Sequence, residues 1–138
     1  MRELKVIGPG NRVAEAASGA MRREGAISNR LVGAEGVWFG YVELPVCAAS
    51  AMHHHGESES GIYIISGAAR FYAGNDLSEV HEAREGDFVW VPPHLPHVEM
   101  NASKNEPVRM AVVRSTQEAI VVNLPFPDGW EPPELSPR

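Results

Sequence analysis

Four residues of this chain carry side chains that can together bind a transition metal. His53 and His55 are separated by one residue, so on a β-strand both imidazole rings point to the same side of the sheet. Glu59 can add an anionic ligand, and His97 is the best candidate for a fourth ligand. This mixture of nitrogen and oxygen donors suits Fe, Mn, Ni, Cu or Zn rather than Ca or Mg, which prefer oxygen. Such a set leaves positions open on the metal, where substrate, water or dioxygen can bind.

The region around these residues has the pattern of short strands and turns. β-Branched and aromatic runs end repeatedly at Gly, Pro or Asn, and no convincing helical pattern lies between them. We therefore predict an all-β antiparallel sandwich or barrel and not a parallel α/β sheet. The predicted strands are residues 37–44, 62–65, 69–72, 88–91, 108–113 and 119–122.

The two ends of the chain differ from this central region. Residues 14–23 have the composition of a short helix, weakened by Gly19 and Gly25, and we expect a short irregular N-terminal segment. Residues 125–138 are rich in proline, which lacks the N–H donor that regular structure needs. This tail is either disordered or strapped by its Phe and Trp side chains over the barrel or a neighbouring subunit. We predict a single domain over residues 1–138, with the barrel core at about 31–124.

Charge and composition narrow the classes of partner. The formal net charge of −6 argues against binding to nucleic acid or to an anionic membrane surface, since both require a basic face. No apolar run reaches the length of a membrane-spanning helix, and the N-terminus does not resemble a signal peptide. The lone cysteine, Cys47, excludes an intramolecular disulfide, which fits the cytoplasm that we predict as the location.

The candidate metal residues fall in two blocks with informative spacing. The first block is His53-x-His55-x3-Glu59, and the second, from Gly86 to Asn101, reads G-x5-P-x-H-x2-H-x3-N. In both blocks the chain resembles the cupin superfamily, whose motifs are G-x5-H-x-H-x3,4-E-x6-G and G-x5-P-x-G-x2-H-x3-N. Two blocks in the right order are far more specific than either block alone.

The chain departs from the cupin pattern at two glycine positions. The resemblance covers roughly residues 37–122. Within it, Cys47 and His94 stand where the first and second motifs each have a glycine. These replacements suggest either that the two turns do not need a positive φ here or that the strain is tolerated.

The spacing after the first block leaves a choice of acidic ligand. Seven residues, rather than six, separate Glu59 from Gly67, which predicts a bulge near Ser60 and Gly61. Counting six residues back from Gly67 reaches Ser60. We prefer Glu59 because a serine hydroxyl is a poor ligand, with Glu57 as a less favoured substitute.

The resemblance implies a fold, a metal site and a range of activities. The fold would be a double-stranded β-helix, or jelly-roll barrel, with His53, His55, Glu59 and His97 inside one mouth. The metal would be iron first, with Mn, Ni, Zn or Cu as alternatives. The function that we favour is a metal-dependent, Fe(II)-type oxygenase acting on a small organic molecule. The alternatives are a non-oxidative isomerase, decarboxylase or lyase, and a non-catalytic barrel that binds a small molecule or sugar. The resemblance also implies a homodimer.

Other residues are candidates for contact with the substrate. Tyr63 and His94 could serve as acid/base catalysts, and Arg114 and Trp90 could bind substrate. Arg114 ends a long apolar strand and is the best candidate to bind an anionic group. His54 alternates to the face opposite His53 and is assigned either to the surface or to a position behind the metal ligands.

Overall fold

Two antiparallel β-sheets form the molecule, described by a computed structural model over residues 2–116 and 120–133. The six-stranded sheet, here called sheet A, has the strand order β1-β2-β3-β10-β5-β8, and the five-stranded sheet B has the order β11-β4-β9-β6-β7. The all-β class predicted from the sequence is confirmed. The strands are β1 (Val13–Glu15), β2 (Arg22–Ile27), β3 (Trp38–Leu44), β4 (His53–His54), β5 (Ser60–Ser66), β6 (Ala68–Ala73), β7 (Glu79–Arg84), β8 (Phe88–Val91), β9 (His97–Asn101), β10 (Val108–Arg114) and β11 (Val122–Asn123).

Alternation along the central strands builds the core between the two sheets. In β3 and β10 every second residue is buried, because successive side chains of a strand point to opposite faces. β10 pairs with β3 on one side and with β5 on the other, so the inward residues of the three strands lie in rows. The largest inward side chains of these strands are Trp38, Leu44, Ile64, Met110 and Arg114.

A second apolar cluster lies under the C-terminal tail. Tyr72, Val98 and Met100 from sheet B pack with Leu124 and Trp130 from the tail. The Trp130 ring contacts Tyr72 at 5.4 Å between ring centroids. The described part of the tail therefore lies on the barrel, as a strap does, while residues 134–138 are outside the described part.

The N-terminal segment differs from the short helix and irregular chain expected for it. β1 pairs with β2, and β2 pairs with β3, so residues 13–27 extend sheet A. In this segment, pairing with β3 outweighs the weak helix propensity. A β-carbon at Gly25 would collide with the Glu15 carboxylate, so the absence of a side chain lets Glu15 reach across β2.

The remaining elements are short. A one-turn helix, α1 (Asn29–Val32), begins after Ser28, whose hydroxyl accepts a hydrogen bond from the Leu31 N–H. It ends at Gly33 in the left-handed conformation. Of the predicted final strand at residues 119–122, residue 119 lies outside the described residues, and β11 begins at Val122. Among the described residues, no helix combines the length and apolar character needed to cross a membrane.

Candidate metal centre

Three histidines meet on the inner face of sheet B. His53 on β4 lies directly opposite His97 on β9, and His55 follows β4. All three side chains are buried, and one donor atom from each lies within 4.8 Å of the others. The structure thus brings together three of the four residues predicted from the sequence.

Backbone carbonyl groups fix the orientation of each imidazole ring. A carbonyl oxygen only accepts hydrogen bonds, so each Nδ1 carries the proton and each Nε2 keeps its lone pair. The Nε2 atoms of His53 and His97 are buried and have no hydrogen-bond partner among the described residues. The Nδ1–oxygen distances are 2.8 Å for His53 and Ala51, 2.8 Å for His55 and Ile120, and 2.9 Å for His97 and Leu95.

Burial keeps two of these rings neutral. Desolvation, followed by the nearby His97, lowers the pKa of His53 to about 3. Desolvation is also the main cause that lowers the pKa of His55 to about 4. At neutral pH both rings therefore offer unprotonated Nε2 atoms, which is the form that binds a metal.

Glu99 is an acidic residue of the site that the sequence analysis missed. Its side chain is buried, and its Oε1 lies 3.4 Å from His97 Nε2. Its Oε2 has no hydrogen-bond partner within the described part of the chain. Burial raises the pKa of Glu99, but its interactions with His97, and then with His53 and His55, outweigh burial, and the pKa falls below its ordinary value. Lone pairs that face one another without a hydrogen-bond donor between them suit a bound cation, so the residues fit a divalent transition metal.

Glu59 requires a correction, because its side chain does not point into the barrel. It is exposed and accepts a hydrogen bond of 2.6 Å from Trp90 Nε1. Ser60, the next residue, is buried and lies opposite Arg114. The one-residue alternation of the strand therefore presents the serine to the interior and the glutamate to solvent. Glu57 is exposed as well.

The predicted bulge lies at the other end of β5. Arg109 pairs with Ser66 and Met110 pairs with Ile64, so Ile65 is the extra residue of the β5–β10 pair. The sequence had placed this irregularity near Ser60 and Gly61. Because the bulge lies after Ile64, the residues from Ser60 to Ile64 keep the regular alternation of a strand. Glu59 therefore stays on the exposed side.

The two predicted acid/base residues lie away from the histidine cluster. The Tyr63 ring is on the outer face of sheet A, 38% exposed, and contacts Phe88 at 4.8 Å between ring centroids. His94 is exposed in the turn before β9, and its ring centroid lies 6.1 Å from that of His54. Neither residue reaches the interior, because β5 and the turn direct their side chains outward.

The two predicted substrate-binding residues differ in position. Arg114 is 2% exposed inside the barrel, whereas Trp90 is 64% exposed on the edge strand β8. Trp90 borders a cavity of about 360 Å³ between β7 and β8, the edge strands of the two sheets. His97 forms part of the cavity wall, together with Phe71 and Leu95. This cavity is the route by which a small molecule could reach the histidines.

Comparisons with known proteins agree with the fold. The family profile described as Cupin domain matches residues 40–114, and no curated protein matches the chain significantly. The polyketide cyclase RemF from Streptomyces resistomycificus has a TM-score of 0.74 at 19% identity, covering 91% of this chain and 89% of the cyclase. A double-stranded β-helix domain protein from Klebsiella pneumoniae has a TM-score of 0.67 at 20% identity, covering 88% and 97%.

Oxalate decarboxylase from Lactobacillus farciminis, solved as a formate complex, is also similar in structure. Its TM-score is 0.70 at 19% identity, and the alignment covers 83% of this chain but only 34% of the decarboxylase. The chain thus corresponds to about a third of that protein. At these identities the likeness shows the fold alone, and it confirms the double-stranded β-helix predicted from the two sequence blocks.

Proposed function

The chain belongs to the cupin family, and from that premise we propose that it is a metal-dependent enzyme acting on a small organic molecule. The observation that carries the proposal is the shared orientation of three buried imidazoles. Hydrogen bonds from Nδ1 to backbone carbonyls leave the Nε2 atoms of His53, His55 and His97 free to face one another. A bound divalent ion would supply Lewis acidity there, and iron would add dioxygen chemistry.

The protein's own groups would divide the remaining work. His53, His55 and His97 would hold the metal, and Glu99 would act as their acidic partner. The carbonyl groups behind the rings hold the ligands in place before the metal arrives, which preorganises the site. The cavity at His97 would admit the substrate between the two sheets.

Among metal-dependent reactions we favour an Fe(II)-type oxygenase. His53, His55 and His97 would hold the iron, and three nitrogen ligands would leave the ion free to supply dioxygen chemistry to a substrate. His97 borders the cavity, which supports this proposal, since both molecules need access to one side of the site.

A specific observation keeps non-oxidative chemistry as the second candidate. Glu99 Oε2 is buried beside the cluster and has no hydrogen-bond partner among the described residues, so it could accept a proton from a bound substrate. Isomerisation, decarboxylation or a lyase reaction would use such a base, with Mn, Ni or Zn in place of iron. The homodimer and the cytoplasmic location stay predictions.

Metal analysis of untagged, chelator-free protein tests the proposal. We expect about one equivalent of a transition metal per chain, and less than about a tenth of that in His97→Ala and in His53→Ala/His55→Ala. His81→Ala is the matched control, since this histidine is exposed on β7. Iron with substrate-dependent oxygen consumption would support the oxygenase; Zn, Mn or Ni without it would favour the second candidate. No metal uptake on reconstitution would contradict both.

A further inference from the structure

Arg114 is a buried cation whose hydrogen-bonding capacity is unused. Its Nε, Nη1 and Nη2 atoms are buried and have no hydrogen-bond partner within residues 2–116 and 120–133. The guanidinium lies over the Trp38 ring, 3.8 Å from the ring centroid, which leaves the edge of its plane free. Its nearest carboxylate is Glu15, at 4.0 Å, beyond hydrogen-bond distance. A guanidinium carries five N–H donors, so this arrangement is costly unless a ligand accepts them.

Arg23 places a second buried guanidinium in the same interior. It donates one hydrogen bond from Nη1 to the Ala16 carbonyl at 3.2 Å, and its Nε has no partner among the described residues. Arg23 interacts electrostatically both with Glu99, the acidic residue beside His97, and with Arg114.

The charges of the interior balance only while no metal is bound. Two guanidinium groups, of Arg23 and Arg114, interact electrostatically with two carboxylates, of Glu15 and Glu99. Histidine ligands are neutral when they bind a metal, so a divalent ion would add two uncompensated positive charges. An excess of buried positive charge is unfavourable unless an anion accompanies it.

We propose that the site takes a small carboxylate substrate, whose carboxylate group binds Arg114 with Arg23 beside it. This inference rests on the metal-dependent function proposed above for the same interior. The planar fork of a guanidinium matches a carboxylate through two parallel hydrogen bonds, and Trp38 holds the Arg114 fork in one plane. Arg114 and Ser60, both buried, border a surface cleft of about 390 Å³ behind which the guanidinium lies, and Trp90 borders both this cleft and the His97 cavity.

Calorimetric titration of simple carboxylates tests the inference. The probes are acetate and benzoate, with acetamide and benzamide as neutral planar analogues and inorganic phosphate as a competing anion. Each is titrated into the Zn(II)-loaded full chain, because zinc is redox-inert and prevents turnover. We expect a carboxylate to bind and its affinity to fall at least about tenfold in Arg114→Gln. Arg109→Gln is the matched control, because Arg109 is on the same strand but on its outer face, paired with Glu43.

Stability provides a second readout that separates a ligand-binding role from a structural one. With unused donors, Arg114 should not stabilise the ligand-free protein, so the melting temperature of Arg114→Gln should equal or exceed that of the wild type. Arg114→Lys keeps the charge but loses the fork, and should bind the carboxylate less tightly than the wild type does.

Several outcomes would overturn the inference. One is that Arg114→Gln binds carboxylates as tightly as the wild type does. Another is that amides or phosphate bind the wild type as tightly as carboxylates do. A third is that no carboxylate binds at all. A large fall in the melting temperature of Arg114→Gln would show a structural role instead. Zinc content, measured on the same samples, separates the two proposals: full zinc with unchanged carboxylate affinity in Arg114→Gln defeats only the inference. Absence of zinc in the wild type defeats the metal site.

Discussion

The acidic residue beside the histidines is on a different strand from the one that the sequence pattern suggested. In the first cupin block the inward position after the histidines is held by Ser60, which cannot supply a negative charge. Glu99, two residues after His97 on β9, brings a carboxylate to the same interior from the opposite sheet. The interior thus contains a negative charge, but the residue that carries it is on β9, beside a histidine of the cluster, and not at the start of β5.

Exchanging each glutamate for its neutral isostere tests this replacement. Glu99→Gln should lower metal affinity by about 10- to 100-fold, because it removes a buried negative charge next to His97. Glu59→Gln is the control and should leave affinity within about twofold, since Glu59 is exposed and contacts Trp90. Competition with a fluorescent zinc chelator measures both. Equal losses in the two variants, or a loss confined to Glu59→Gln, would return the acidic role to β5.

The sequence predicted the histidines but not the groups around them, and the reason is physical. His53 and His55 are recognisable because i, i+2 spacing places both on one face whatever the register. The same i, i+2 rule, applied to His97 and Glu99, also predicts that the Glu99 side chain points to the same side of the sheet as His97. Arg23 was not predictable, because it lies in β2, a segment that the sequence presented as weak helix, and the direction of its side chain follows from the pairing of β2 with β3.

At the scale of elements, two tight turns carry residues in a conformation that favours glycine. Cys47 has a φ of 61° and His94 a φ of 60°, and each stands at a motif position where the family has glycine. Both turns therefore have a positive φ and tolerate its strain, which is the second of the two alternatives given for these glycine positions. His94 donates its backbone N–H to the Gly56 carbonyl at 2.8 Å, so its turn joins the two histidine-bearing segments. Left-handed backbone in a non-glycine residue costs about 1–2 kcal/mol.

Restoring glycine in the first turn should stabilise the protein. Cys47→Gly relieves the left-handed strain but adds backbone entropy to the unfolded chain, so we expect a net gain of about 0.5–1 kcal/mol in the free energy of unfolding. Ala48→Gly, one residue on and without a positive φ, has no strain to relieve; it adds the entropy and removes a methyl group packed against the core, so it should lose at least about 0.5–1 kcal/mol. Urea denaturation measures both; a loss of stability in Cys47→Gly would mean that the side chain contributes more than the strain costs.

Central strands were easier to predict than edge strands. β3, β5 and β10 lie inside sheet A and coincide closely with apolar runs in the sequence, since they pack against the core. β7 has the sequence E-V-H-E-A-R, in which three of the six residues are charged, and it is almost entirely exposed, so its sequence indicates a solvated segment. Its pairing with β6 comes from the partner strand and not from its own composition. Edge positions tolerate charge, which also protects them from aggregation.

For the whole molecule, the functional interior and the stabilising contacts are partly separated. The barrel interior holds three histidines, a glutamate and two arginines, whose burial opposes folding unless partners compensate. Apolar packing must offset this cost, and it occurs in two places: among the inward residues of sheet A and beneath the tail. The tail cluster lies on the outer face of sheet B, behind the strands that carry His53 and His97.

The tail cluster is therefore expected to support the fold without taking part in the chemistry. Trp130→Ala removes a partly buried ring that contacts both Tyr72 and Phe126, and should lower the free energy of unfolding by about 2 kcal/mol. Trp90→Ala is the control for losing an indole: Trp90 is mostly exposed, so we expect a loss below about 0.5 kcal/mol. Urea denaturation of metal-free protein gives both values. Metal stoichiometry should be unchanged in Trp130→Ala, because its contacts lie on the face of sheet B away from the histidine rings. Loss of metal together with stability would instead mean that the tail holds β4 and β9 in the register on which the cluster depends.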